Sequence, residues 1–277
     1  MGRGRASGWQ GEALISMNLE CAMPRKHEFF RGLLRGVIVL LSMLALLGAG
    51  SPAAAKAPAQ AVGDHTLWLP LVARSNTNPL HTGIATYYYA TGAGACGFDA
   101  SPSDLMVAAM NAEEYNNASY CGAYVHVKGP KGTVIVRIVD LCPECKAGHL
   151  DLSQQAFAAI ADLPQGRVPI EWQVISPDIP GSIAWHFKDG SNQWWTAIQV
   201  RNHRNPIAKL EYLNGSGQWI AVPRVSYNYF VQTGPGMGVG PYTLRVTDWY
   251  GNQITNSGIQ PGDNITVKGI GQFPPGP

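Results

Sequence analysis

The chain has 277 residues, a formal charge of +2, only 14% Asp, Glu, Lys and Arg, and 32 glycines and 20 prolines. Such a charge-poor, turn-rich composition points to an exported, mainly β protein and argues against a helical cytosolic one. The charge alternates by segment: eight basic against four acidic residues over 1–82, five against ten over 83–178, and seven against four over 179–277. With no dense Lys/Arg run, nucleic acid is not an expected partner.

Arg25, Lys26, Arg31 and Arg35 precede the apolar run Gly36–Gly50, and the small-residue stretch SPAAAKAPA follows it. Basic flank, short apolar core and small-residue exit predict a signal peptide over 1–57, hence a secreted, extracellular protein. Residues 1–22 read as an upstream extension, with Met23 as the conventional start. A retained N-terminal anchor is the alternative, since apolar length alone does not separate the two. Residues 58–82 form a linker whose one apolar patch is Leu67–Ala73.

Four cysteines follow the signal: Cys96, Cys121, Cys142 and Cys145. An even set in an exported chain reads as disulfides, for which three pairings exist. Cys96–Cys121 with Cys142–Cys145 is preferred, and a four-cysteine zinc site is the rival. Zinc ribbons usually supply a second close pair, which Cys96 and Cys121 lack, so neither a metal nor a cofactor is expected.

Around these cysteines, Gly83–Tyr89, Tyr124–Gly129, Thr133–Asp140 and Ile170–Ile175 read as strands, with a turn at Gly129–Gly132. One helix is predicted within SPSDLMVAAM, capped by Ser101 or Ser103. A second follows Asp151 and is capped by Ser153. Strands with helices in the crossovers suggest a small closed barrel over 83–178. Asp140 and Asp151 flank Cys142-Pro-Glu-Cys145, close together in one loop, where both can face a groove. Paired carboxylates serve glycosidic chemistry. Equally, Asp151 reads as a helix cap, and the helix dipole would then lower its pKa.

Beyond the connector Pro177–Ser182, short strands alternate with Gly/Asn turns and predict a β-sandwich over 179–277. His186 and His203 are isolated and read as structural. In QWWTAIQV, strand alternation with Ile198 and Val200 inward places Trp194 in the core and Trp195 outside, unless the strand begins or bulges there. Exposed aromatic faces suit sugar rings.

ATYY, GACGF, PSDLMVAAMN, VKGPKG, VDLCPEC, LDLSQQAF, SNQWWTAIQVRNH, SYNYF and the terminal GQFP lie in order. Together they resemble a bacterial expansin from Gly83 to Pro274. The resemblance implies a mainly β protein: a six-stranded double-psi β-barrel, similar to family 45 endoglucanases, followed by an immunoglobulin-like sandwich that serves as the carbohydrate-binding module. It places the groove residues on Asp151, Asp140 and Thr86, and the polysaccharide-binding surface on Trp194, Trp195, Tyr227 and Lys188. A groove tyrosine of bacterial members is replaced by Cys142.

The implied activity is loosening of plant cell walls without hydrolysis, with cellulose, xylan or β-glucan as partners, peptidoglycan as a further candidate, and a monomeric state. Asp151 matches the proton donor of the related hydrolases. No second acid stands near Thr86, so an inverting pair is incomplete. A weak endoglucanase, a lytic transglycosylase using Asp151 alone, and a purely carbohydrate-binding protein are the alternatives. No lipobox cysteine follows the signal run.

Overall fold

The computed structural model describes residues 78–277. The signal segment, most of the linker and the Leu67–Ala73 patch lie outside the described residues. No helix among the described residues is long and apolar enough to cross a membrane.

The first module is a closed barrel built from β1 (His81–Tyr88), β2 (Val107–Asn111), β3 (Tyr124–Lys128), β4 (Thr133–Cys142), β5 (Leu150–Ser153) and β6 (Val168–Ile175). Their spatial order is β1-β5-β2-β4-β3-β6. The β1–β5 and β2–β4 pairs are parallel and the others antiparallel. This is a double-psi β-barrel. Its core holds Val107, Met110, Val125, Ile138, Leu150, Leu152, Phe157 and Trp172.

The helix expected within SPSDLMVAAM is not formed: β2 occupies Val107–Asn111, and all five of its residues are buried. Alanine and methionine favour helix, but tertiary pairing overrides propensity. Strands β4 and β5 hydrogen-bond to β2 on both sides. A helix there would turn part of its apolar surface away from the barrel. The helix begins instead at Ala112, with Asn111 accepting from Glu114 N, and lasts four residues (α1, Ala112–Tyr115). The second helix, α2 (Gln154–Ile160), is capped by Ser153 as predicted; Ser153 Oγ accepts from Ala156 N at 3.1 Å.

The second module stacks two four-stranded sheets into a sandwich. One has β11 (Phe230–Gln232), β8 (Thr196–Arg201), β7 (Ala184–Phe187) and β14 (Ile265–Lys268) in that order. The other has β10 (Trp219–Val222), β9 (Ile207–Leu213), β12 (Tyr242–Asp248) and β13 (Gln253–Ile259). Between them lie Trp185, Phe187, Ile198, Leu210, Phe230, Leu244, Val246 and Phe273.

Cys96 bonds to Cys121 and Cys142 to Cys145, which pairs the four cysteines of the described residues. The first bridge backs the seam between modules. Cys96 O accepts from Gln199 Nε2 at 2.9 Å and from Asn228 Nδ2 at 3.2 Å, both in the sandwich. Tyr115 Oη donates to Ser226 O at 2.7 Å, Arg201 pairs with Asp99 at 2.6 Å, and Tyr120 meets Trp249 edge-on. His203 is buried at the same seam, where a Cβ on Gly122 would lie 2.6 Å from its Nε2.

Candidate functional site

Strand register brings the sequence-predicted barrel residues into one row. Thr86 of β1 is opposite Asp151 of β5; Asp151 is opposite Ala109 of β2; and Ala109 is opposite Asp140 of β4. Side chains in a row share a face. Two strand spacings separate the aspartate backbones, about 10 Å. The two carboxylates therefore do not share a loop, as the sequence spacing suggested. They stand on strands either side of β2. Tyr88, two residues beyond Thr86 and so on its face, packs over Ala109 and the Cys142–Cys145 bridge between them. Its hydroxyl is buried with no hydrogen-bond partner. Burial first, then the charges of Asp140 and Asp151, raise its pKa well above the phenol range.

Asp151 is not a cap, because Ser153 fills that role. It belongs to β5 and accepts a hydrogen bond from the Thr86 hydroxyl. Thr86 Oγ1 also lies 2.9 Å from His149 Nε2. Burial holds the Asp151 carboxyl above the usual range; Thr86 and His149 pull it down, and Glu144 and Asp140 push it further up. The helix-dipole expectation of a lowered value is thus reversed by desolvation. Burial and then the Arg167 charge lower the His149 pKa, against Asp151 and Glu144. Thr86, Glu144, His149, Asp151 and Arg167 line a cavity of about 390 Å³ together with the Cys142–Cys145 bridge and Lys146.

His149 was not singled out from sequence. The available signal was its i, i+2 spacing from Asp151, which puts both on one face of an extended chain. Its position is fixed by Gly148. That residue's N–H donates to Glu114 Oε2 at 3.0 Å and its carbonyl accepts from Trp172 Nε1 at 2.9 Å. Gly83 makes the crossing possible, since a Cβ there would lie 2.1 Å from Gly148 O. Glu114 is held in turn by His81, whose Nδ1 lies 2.7 Å from Oε1.

Asp140 is committed to the backbone. Its Oδ1 accepts from Ala95 N at 2.7 Å and from Leu141 N at 2.8 Å. Gly94 leaves room for the carboxyl, which a Cβ there would meet at 2.4 Å. The residue after Ala95 is Cys96, whose carbonyl is gripped by the sandwich. Asp140 therefore anchors the loop at which the two modules meet.

On the sandwich, β8 begins only at Thr196, so strand alternation does not govern the two tryptophans. Trp194, which strand alternation puts in the core and the resemblance on the binding surface, is 65% exposed, and Trp195 is half-buried. Asn192 Oδ1 accepts the N–H groups of both, at 2.9 and 3.1 Å, and so replaces the strand partners they lack. Gly236 supports the turn from behind; a Cβ there would meet Gln193 O at 2.0 Å. Trp195 packs on Ala197, Tyr229 and Val231. Tyr227, 40% exposed, lies 5.8 Å from the Tyr229 ring. Lys188 N donates to Ala197 O at 3.0 Å, which brings Lys188 to the same sheet, and it is half-buried. The described structure therefore offers an acid-bearing cleft on the barrel and an aromatic platform on the sandwich, joined across the Cys96 seam.

A family profile described as lytic transglycolase matches residues 81–172. The chain is 39% identical over 210 residues to Expansin-YoaJ of Bacillus subtilis, covering 70% of this chain and 87% of that protein. It is 42% identical over 101 residues to a papain inhibitor of Streptomyces mobaraensis, covering 34% of this chain and 71% of that protein. Among solved structures, a mutant Clavibacter michiganensis expansin in complex with cellohexaose aligns with a TM-score of 0.66 and 35% identity, over 71% of this chain and 99% of that one.

Proposed function

Since the chain belongs to the expansin family, we propose that it is a secreted protein that binds cellulose and related wall polysaccharides and loosens them without hydrolysis. The barrel would span 83–178 and the carbohydrate-binding sandwich 179–277, in a monomer. Trp194, Trp195 and Tyr227 would stack on pyranose faces, with Lys188 at their border. Thr86, His149 and Asp151 would exchange hydrogen bonds with glucan hydroxyls that otherwise bond chain to chain. Cellulose is the primary partner, supported by the cellohexaose complex of the Clavibacter relative; xylan and β-glucan are secondary ones.

The observation that carries the non-hydrolytic reading is the fate of the second carboxylate. An inverting glycosidase needs a base about 6.5–9.5 Å from the acid with water between. Asp140 is bound to two backbone N–H groups, and Tyr88 fills the face between it and Asp151. Asp151 keeps an acid's environment without that partner. A second reading, a lytic transglycosylase, needs one acid alone. It is favoured by the raised Asp151 pKa and the profile match over the barrel. Glu144, exposed on the cavity rim, is the carboxylate to test beside it.

Purified protein is to be assayed for creep of wall strips and for reducing ends from cellulose, xylan, β-glucan and peptidoglycan. The expected outcome is creep without product, lost in Asp151→Asn while cellulose binding persists. Steady product release that disappears in Asp151→Asn or Glu144→Gln would establish the enzymatic reading instead.

A further inference from the structure

The barrel groove contains three side chains whose hydrogen bonds can run in either of two directions. Thr86 Oγ1 bonds to Asp151 Oδ1 and also lies 2.9 Å from His149 Nε2. A hydroxyl has one proton to give. When Asp151 is ionised it only accepts, so Thr86 donates to it, and His149 must donate to Thr86 from Nε2. When Asp151 is protonated at Oδ1 the order reverses. The acid donates to Thr86, the hydroxyl turns to His149, and Nε2 accepts while the imidazole carries its proton on Nδ1. No described residue bonds to Nδ1, and His149 lines the open cavity on a half-buried side chain.

We propose that His149 is a positioning residue that delivers a proton to Asp151 through the Thr86 hydroxyl, so that carboxyl protonation and imidazole tautomer change as one event. A solvent proton adds to Nδ1. The Nε2 proton then passes to Thr86 Oγ1, and the original Thr86 proton passes to Asp151 Oδ1. The end state holds one proton more than the start, on neutral Asp151, with His149 neutral and its tautomer exchanged.

The surroundings suit proton sharing. Burial raises the Asp151 pKa and lowers that of His149, which draws the two together. The other charged and titratable groups act on the window and are outside the relay. Arg167, preceding β6, opposes charging of His149. Glu144 on the disulfide loop favours charging of His149, and Glu144 and Asp140 on β4 both oppose ionisation of Asp151. Lys146 lies on the cavity rim, and Tyr88 of β1 remains a neutral phenol.

The test is spectroscopic: pH titration of the Asp151 carboxyl ¹³C and the His149 imidazole ¹⁵N signals in the full chain. In wild type the Nε2–H tautomer should convert to Nδ1–H at the same midpoint at which Asp151 takes its proton. Thr86→Val removes the hydroxyl at nearly constant volume. It should abolish the tautomer exchange and leave only the smaller electrostatic perturbation between the two groups. His149→Gln should shift the Asp151 midpoint upward with the melting temperature held. An unchanged tautomer throughout the wild-type titration of Asp151 overturns the relay, and so does full exchange in Thr86→Val. The significance for wall polymers rests on the groove reading above. The titration does not, so failure of either is visible without the other.

Discussion

Asp151 has an environment that costs stability. Its folded-state pKa lies above that of an exposed aspartate because burial disfavours the anion. A carboxyl raised in the fold favours folding while protonated. That contribution is full below the ordinary value near 4 and is lost as pH rises through the raised value. Asp151→Asn is therefore expected to melt higher than wild type at pH 7. The advantage should shrink as the pH is lowered through the carboxyl's titration, in thermal scans across pH 3–8. A lower melting temperature at neutral pH would mean that the Thr86 hydrogen bond outweighs desolvation. Asp151 and Thr86 were legible in the sequence through the resemblance of LDLS and ATYY. His149 and Tyr88 were not, because their roles come from register and packing between β1 and the loop before β5.

The start of β8 shows how an element boundary decides a side chain's role. Alternation counted back from Ile198 puts Trp194 inside, and it fails because the ladder ends at Thr196 and Asn192 takes over the next two N–H groups. Trp194→Ala should leave the melting temperature within the small range of surface substitutions, with cellulose binding measured by pull-down falling severalfold. Trp195 also packs on Tyr229 and Val231. Its replacement by alanine should cost about 2 kcal/mol, below the ~3–5 kcal/mol of a fully buried tryptophan. Equal destabilisation by both substitutions would contradict this division. The same limit explains β2. The apolar text of residues 105–110 is compatible with either helix or strand, and only the two neighbouring strands choose. By contrast, α2 was legible because Ser153 and an apolar face with helical spacing agree.

For the molecule as a whole, the two-module order and most strands could be read from turn spacing and composition, though not β2, β5 or β13; the seam could not. No local pattern announces that Gln199, Asn228 and Tyr115 leave their own modules to bond across it. The seam also carries a pH dependence. His203 is fully buried, and its pKa is pushed down to about 4 by desolvation. The unfolded chain takes up this proton below about 6.5 and the folded one only near 4. Stability from His203 is thus full above that window and is lost as pH falls through it. Urea midpoints should drop between pH 7 and pH 4.5 by more in wild type than in His203→Gln. Parallel curves for the two proteins would place the acid sensitivity elsewhere.

Each module joins its last strand to its first. In the barrel His81 of β1 faces Trp172 of β6, ninety-one residues later, and in the sandwich Phe187 of β7 faces Ile265 of β14, seventy-eight residues later. Such pairings impose a schedule on synthesis. Closing so long a loop must precede any reward from the contacts it brings, which places folding in the slow, millisecond-to-second regime typical of non-local β structures. Until β6 is available, β1 can pair with β5 alone, and the chain cannot close around its core. In the interval its unpaired strand edges are open to other chains. A polypeptide stopped at residue 262 would hold a finished barrel beside a sheet whose edge strand never arrives.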